Sequence, residues 1–139
     1  MNAYRWEDLR VGLREAFDVA LTAEMFDAFR ALSGDENPLH ADAEYAVRAG
    51  FPGRVAFGLL TSAFYSRLVG VHLPGKHALF HGLSVEFVTP AFAGDVLRVS
   101  GEVTHLSDAV RRIELRALIL NQADKTVSRA KLSVGLHAA

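Results

Sequence analysis

The stretch from Val55 to Val69 carries a single charge, Arg67. As a helix it would run about 22 Å with apolar side chains on most faces. Such a helix is normally buried. It is shorter than the roughly 18 residues that a bilayer crossing needs, so its cover has to come from the same chain or a copy of it. Downstream, four segments alternate apolar and polar residues. Leu83, Val85 and Phe87 alternate with Ser84 and Glu86, and Pro90 closes the run. Leu97, Val99 and Val103 alternate with Arg98, Ser100 and Glu102. Ile113, Leu115, Ala117 and Ile119 alternate with Arg112, Glu114 and Arg116. Ala130, Leu132, Val134 and Leu136 alternate with Arg129, Lys131 and Ser133. Period two with turn residues between the runs predicts an antiparallel meander with one dry and one wet face.

Upstream, Val11, Leu13, Phe17, Val19 and Leu21 predict a further strand. Thr22 is a suitable N-cap for a helix carrying Met25, Phe26, Phe29 and Leu32, which Gly34 would end. Asp42 can cap a short helix from Ala43 to Ala49. The prediction is one α+β domain over residues 1–139, a curved antiparallel sheet around a long central apolar helix. Its sheet edges would be reduced by pairing with a second copy, so a homodimer is expected.

Composition narrows the function. Net charge is −1 over 139 residues, which argues against nucleic acid as the main ligand. With no cysteine, disulfides, thiolate metal sites and a cysteine nucleophile are excluded. The first residues hold acids where a secretion signal needs an apolar run. The expected setting is cytoplasmic, with no membrane partner.

The polar chemistry concentrates in Leu32-Ser33-Gly34-Asp35-Glu36-Asn37-Pro38-Leu39-His40-Ala41-Asp42. An acid and an imidazole lie five residues apart. Asn37-Pro38 between them interrupts any helix running on from the one before. Asn37 can fix the loop internally through its own amide. Asp35 and His40 can then hold one water between them, one as base and the other as acid or orienter. Either can take the proton, because such a pair titrates as a unit. A backbone N–H at the start of the apolar helix can stabilise a developing oxyanion.

The same loop resembles the signature of the MaoC-like, (R)-specific enoyl-CoA hydratases. In essence that signature reads Ser-Gly-Asp-x-Asn-Pro-Leu-His-x-Asp, and every fixed position is matched. The resemblance runs on through Phe57-Gly58-Leu59, Ser66, Leu73-Pro74-Gly75 and Ser84-Val85-Glu86-Phe87. It implies a hot-dog fold and reversible hydration of trans-2-enoyl-CoA to (R)-3-hydroxyacyl-CoA. By the same resemblance Asp35 and His40 are the catalytic pair and the Gly58 N–H binds the thioester carbonyl. Ser66 supplies a supporting hydroxyl. The substrate is an acyl-CoA or acyl-carrier-protein thioester, no cofactor is needed, and the assembly is a homodimer or a higher even-numbered oligomer. Many members carry His where this chain has Phe57, which bears on how the pocket mouth is packed.

Plainer readings stand beside these. Asp35 also fits a loop-capping acid and His40 a satisfied core histidine. Gly58 and Ser66 also fit small residues that allow close helix packing. A metal held by Asp35, His40 and Asp42 lacks a second histidine at ligand spacing. Arg48, Arg54 and Lys76 can meet substrate phosphates, or they are solvated charges. Tail-binding side chains are expected from the buried helix and from Tyr45 or Phe64. The competing functions are a hot-dog acyl-CoA thioesterase, an acyl-carrier-protein dehydratase and a non-catalytic acyl-thioester-binding subunit.

Overall fold

The structure, a computed structural model, describes residues 1–137. Strand β1 (Arg14–Ala20) leads into helix α1 (Ala23–Ser33). The Thr22 hydroxyl accepts the Met25 N–H, and Gly34 ends the helix in the left-handed conformation at φ 75°. Both ends follow the capping residues named above. Two short helices follow, α2 (Pro38–Ala41) and α3 (Ala43–Arg48), and then α4 (Gly58–Arg67). Strands β2 (Ala78–Phe87), β3 (Val96–Ser107), β4 (Arg112–Leu120) and β5 (Thr126–Leu136) complete the chain.

The apolar helix starts three residues later than its sequence pattern predicts. The backbone of Val55 and Ala56 is occupied elsewhere. The Val55 N–H donates to Leu39 O and the Ala56 N–H to Ala91 O, while Val55 bridges Phe92. The helix can turn only after these extended residues. At its far end Leu68–His72 widens into a π-helical turn.

The five strands form one antiparallel sheet in the order β1-β3-β4-β5-β2. The pattern predicts a meander of four, and only β3, β4 and β5 form one. Strand β2 pairs with β5 at the sheet edge, because the chain leaves β2, passes the start of α4 and is held at the end of β1. There the Leu21 N–H donates to Asp95 O and the Gly94 N–H to Leu21 O, so β3 begins beside β1.

The inner face of β3 to β5 is dry, with Leu97, Val99, Val103, Leu115, Ile119 and Leu132 fully buried. Tyr65, Leu68 and Val69 from α4 and its π turn are buried with them. Burial of each such side chain stabilises by about 1.5–3 kcal/mol, so packing sets the seat of α4. Gly101 makes room for Leu68, whose Cδ2 would lie 2.8 Å from a β-carbon there. The β2 edge is different. Leu83 and Phe87 oppose the buried Leu132 and Ser128, yet they are 45% and 51% exposed on the edge strand of the sheet.

Candidate active site

The loop after α1 is built from consecutive side-chain-to-backbone turns. The Ser33 hydroxyl donates to Phe29 O at 2.7 Å and accepts the Asp35 N–H at 3.1 Å. Asp35 Oδ1 accepts the Asn37 N–H at 3.0 Å, and Asn37 Oδ1 accepts the Leu39 N–H at 3.0 Å. Each turn replaces hydrogen bonds that a helix would have supplied. Asn37 thus fixes the loop and caps α2. Pro38 begins a helical turn at its first position, where a missing N–H costs nothing. His40 therefore rides on one helical turn, while Asp35 lies outside it.

The His40 ring is held on two sides. Its Nδ1 lies 2.7 Å from the carbonyl oxygen of Val55. A carbonyl only accepts, so Nδ1 carries the proton, and in the neutral ring Nε2 is left as the acceptor. The Phe57 ring packs against the imidazole with centroids 4.3 Å apart. Phe57 also meets Phe26 and Phe29, so its place before Gly58 is a packing position. Asp35 Oδ2 has no hydrogen-bond partner among the described residues.

Asp35, His40 and Gly58 open onto one cleft of about 530 Å³, walled by Phe29, Phe87 and Val127. The residue before α4 is Phe57, which offers no capping side chain. The first N–H groups of the helix thus have no side-chain cap, at the positive end of the helix dipole, and Gly58 and Leu59 line the cleft. The Thr61 hydroxyl ties back to Gly58 O at 2.8 Å. Gly58 also satisfies the packing reading, since the Phe87 ring occupies the space where a β-carbon would sit.

Residues 12–123 match the MaoC like domain. The chain belongs to the MaoC-like domain family. A 3-hydroxybutyryl-CoA dehydratase of Methylorubrum extorquens is 34% identical over 110 residues, 79% of this chain and 70% of that protein. An (R)-specific enoyl-CoA hydratase of Aeromonas caviae is 36% identical over 102 residues, 73% of this chain and 76% of that one. Among solved structures, the unliganded R-hydratase of Pseudomonas aeruginosa superposes with a TM-score of 0.91 at 30% identity, covering 96% of this chain and 86% of that one. The (R)-hydratase of Aeromonas caviae gives 0.90 at 32% identity, with 94% and 99% covered. The architecture is accordingly the hot-dog fold.

In this MaoC-like domain the remaining sequence candidates fall outside the cleft. Ser66 lies two turns beyond Gly58, about 12 Å along the helix, with an exposed side chain. The cleft lining of this chain does not include it. Arg48 is exposed on α3 and lies 3.9 Å from Glu44. Lys76 precedes β2, whose far end is Phe87, and roughly 30 Å of extended strand separates it from the cleft. Arg54 turns inward, with Nε donating to His40 O and Nη2 to Asp27, and it does not line the cleft. Tyr45 and Phe64 do not line the cleft, and its aromatic walls are Phe29, Phe57 and Phe87. Sequence reasoning missed Ser33, Thr61 and Phe87. Ser33 had a readable signal, a hydroxyl two residues before an acid just past a helix stop. The partners of Thr61 and Phe87 are set by tertiary packing, and the sequence carries no such signal.

Proposed function

We propose that this protein catalyses reversible hydration of trans-2-enoyl-CoA to (R)-3-hydroxyacyl-CoA. The observation that carries the reading is the His40–Val55 hydrogen bond. It leaves Nε2 as the acceptor of a ring that lines the same cleft as Asp35. Two acceptors match the two protons of one water, which leaves its oxygen lone pairs free to attack. Attack forms the C–O bond at the β-carbon, and the π electrons move toward the carbonyl oxygen. One member of the pair takes the water proton, and that proton is then delivered to the α-carbon. The enolate oxygen is held by the Gly58 N–H, a type of contact worth roughly 3–4 kcal/mol in the transition state. Water and thioester balance the reaction, so no cofactor enters it.

A thioesterase would direct the same water to the carbonyl carbon. The test is a short enoyl-CoA followed at once for loss of the conjugated absorbance and for free thiol. Absorbance loss without thiol, with an (R)-3-hydroxyacyl product on chiral analysis, is the expected result. Thiol release at the same rate would overturn it.

The working form in this reading is a homodimer, or a higher even-numbered oligomer, in the cytoplasm. Its support is the uncovered apolar face of Leu59, Leu83 and Phe87, each 45% exposed or more, along an edge strand with unpaired backbone groups. No helix among the described residues is long and apolar enough to cross a membrane.

A further inference from the structure

A helix of one turn leaves its last carbonyls without intrahelical partners. In α2 the Pro38 carbonyl is taken by the Asp42 N–H. The His40 carbonyl is taken by a side chain, with Arg54 Nε donating at 2.6 Å. The same guanidinium donates through Nη2 to Asp27 Oδ1 at 2.8 Å, and it lies 5.4 Å from the centre of the Phe26 ring. Its side chain is 18% exposed. The next residue completes the grip. The Val55 N–H donates to Leu39 O at 3.1 Å, and the Val55 carbonyl accepts from His40 Nδ1. Asp27 and Phe26 belong to α1, the helix that ends in the turn bearing Asp35. One side chain therefore joins the element that carries the acid to the element that carries the imidazole.

We propose that Arg54 is a positioning residue that sets the separation of Asp35 and His40, and that it makes no contact with substrate phosphates. Asp27 is 65% exposed, so the ion pair by itself contributes little. The weight falls on the charge-assisted bond to His40 O. This inference rests on the hydratase reading, in which the pair shares one water.

The experiment compares Arg54→Ala and Arg54→Lys with wild type on crotonyl-CoA and on crotonyl-N-acetylcysteamine, which has no phosphate. A misplacement on the ångström scale lowers kcat on the order of 10²-fold. The expected result is that loss in Arg54→Ala for both thioesters, with KM little changed and partial recovery in Arg54→Lys. A rise in KM confined to crotonyl-CoA would identify a phosphate contact and overturn the proposal. An unchanged kcat with only a lowered Tm would overturn it too. A second readout is independent of turnover: the His40 Nδ1–H resonance, protected from exchange in wild type and exposed in Arg54→Ala. If wild type hydrates neither thioester, the hydratase reading fails. The resonance then decides the role of Arg54, and its persistence in Arg54→Ala would contradict that role.

Discussion

At Gly58 an added methyl group would stand 2.7 Å from Cζ of Phe87 and 2.9 Å from its Cε atoms. Phe87 is half-exposed, so its ring can swing away at modest cost. The cost therefore falls at the low end of what overpacking brings, about 1 kcal/mol. Gly58→Ala should lose that much in chemical denaturation, and Phe87→Ala in the same chain should restore most of the loss. An equal loss in both backgrounds would mean that Phe87 is not the reason for glycine here. Much of the site was readable at this scale. Asp35, Asn37 and His40 are named by residue type and spacing and Gly58 by the family resemblance; Asp35, His40 and Gly58 line the cleft, and Asn37 fixes the loop between the first two. The protonation of His40 was not readable, because it depends on a carbonyl fifteen residues away. Ser66 lies outside the cleft lining of this chain for a related reason. Helical periodicity gives its face on α4, but only the seat of that helix on the sheet decides what the face meets.

Among the elements, α2 is the one on which the chemistry leans and also the shortest of the α-helices, at four residues. A helix this short has little stability of its own, so its cap matters out of proportion. Asn37→Ala removes the side chain that accepts the Leu39 N–H. Such a loss typically costs about 1 kcal/mol. The expected outcome is faster hydrogen exchange at Leu39 and His40, with kcat lowered roughly tenfold or more and KM nearly unchanged. Pro38→Ala keeps the cap and should do much less. The limits of α1 could be read from Thr22 and Gly34 because capping is local chemistry. The start of α4 could not, since Val55 and Ala56 are drawn into extended pairing by partners remote in sequence. For the same reason the alternation in β2 gives its two faces but not its neighbour, and β2 lies beside β5 instead of β3.

In the whole molecule, the sheet and α4 meet around Tyr65, which is fully buried. Its hydroxyl is hydrogen-bonded to Ser128 Oγ at 2.8 Å. Burial pushes the phenol up to about 12, with the Ser128 bond acting in the opposite direction. A phenol whose pKa is raised on folding favours the folded state while it is neutral. That contribution is complete below the unfolded value near 10 and is lost as pH rises from there through about 12. Stability measured by denaturant between pH 8 and 12 should therefore fall above pH 10, and Tyr65→Phe should flatten that limb. An identical alkaline fall in Tyr65→Phe would place its cause elsewhere. Leu83 and Phe87 stay about half-exposed at the β2 edge, where the Phe87 ring meets Gly58 and walls the cleft.

A shared water is the feature on which the mechanism depends, and a double-mutant cycle reads it directly. Groups that act as a unit lose activity together and not multiplicatively. The measurement is kcat for crotonyl-CoA hydration by wild type, Asp35→Asn, His40→Asn and the double variant, each checked for native folding. Each single change should lower kcat by roughly 10²–10⁴-fold, and the double variant should fall no further than about the worse single one. Two multiplicative losses, or near wild-type rates in either single variant, would contradict one water held between Asp35 and His40.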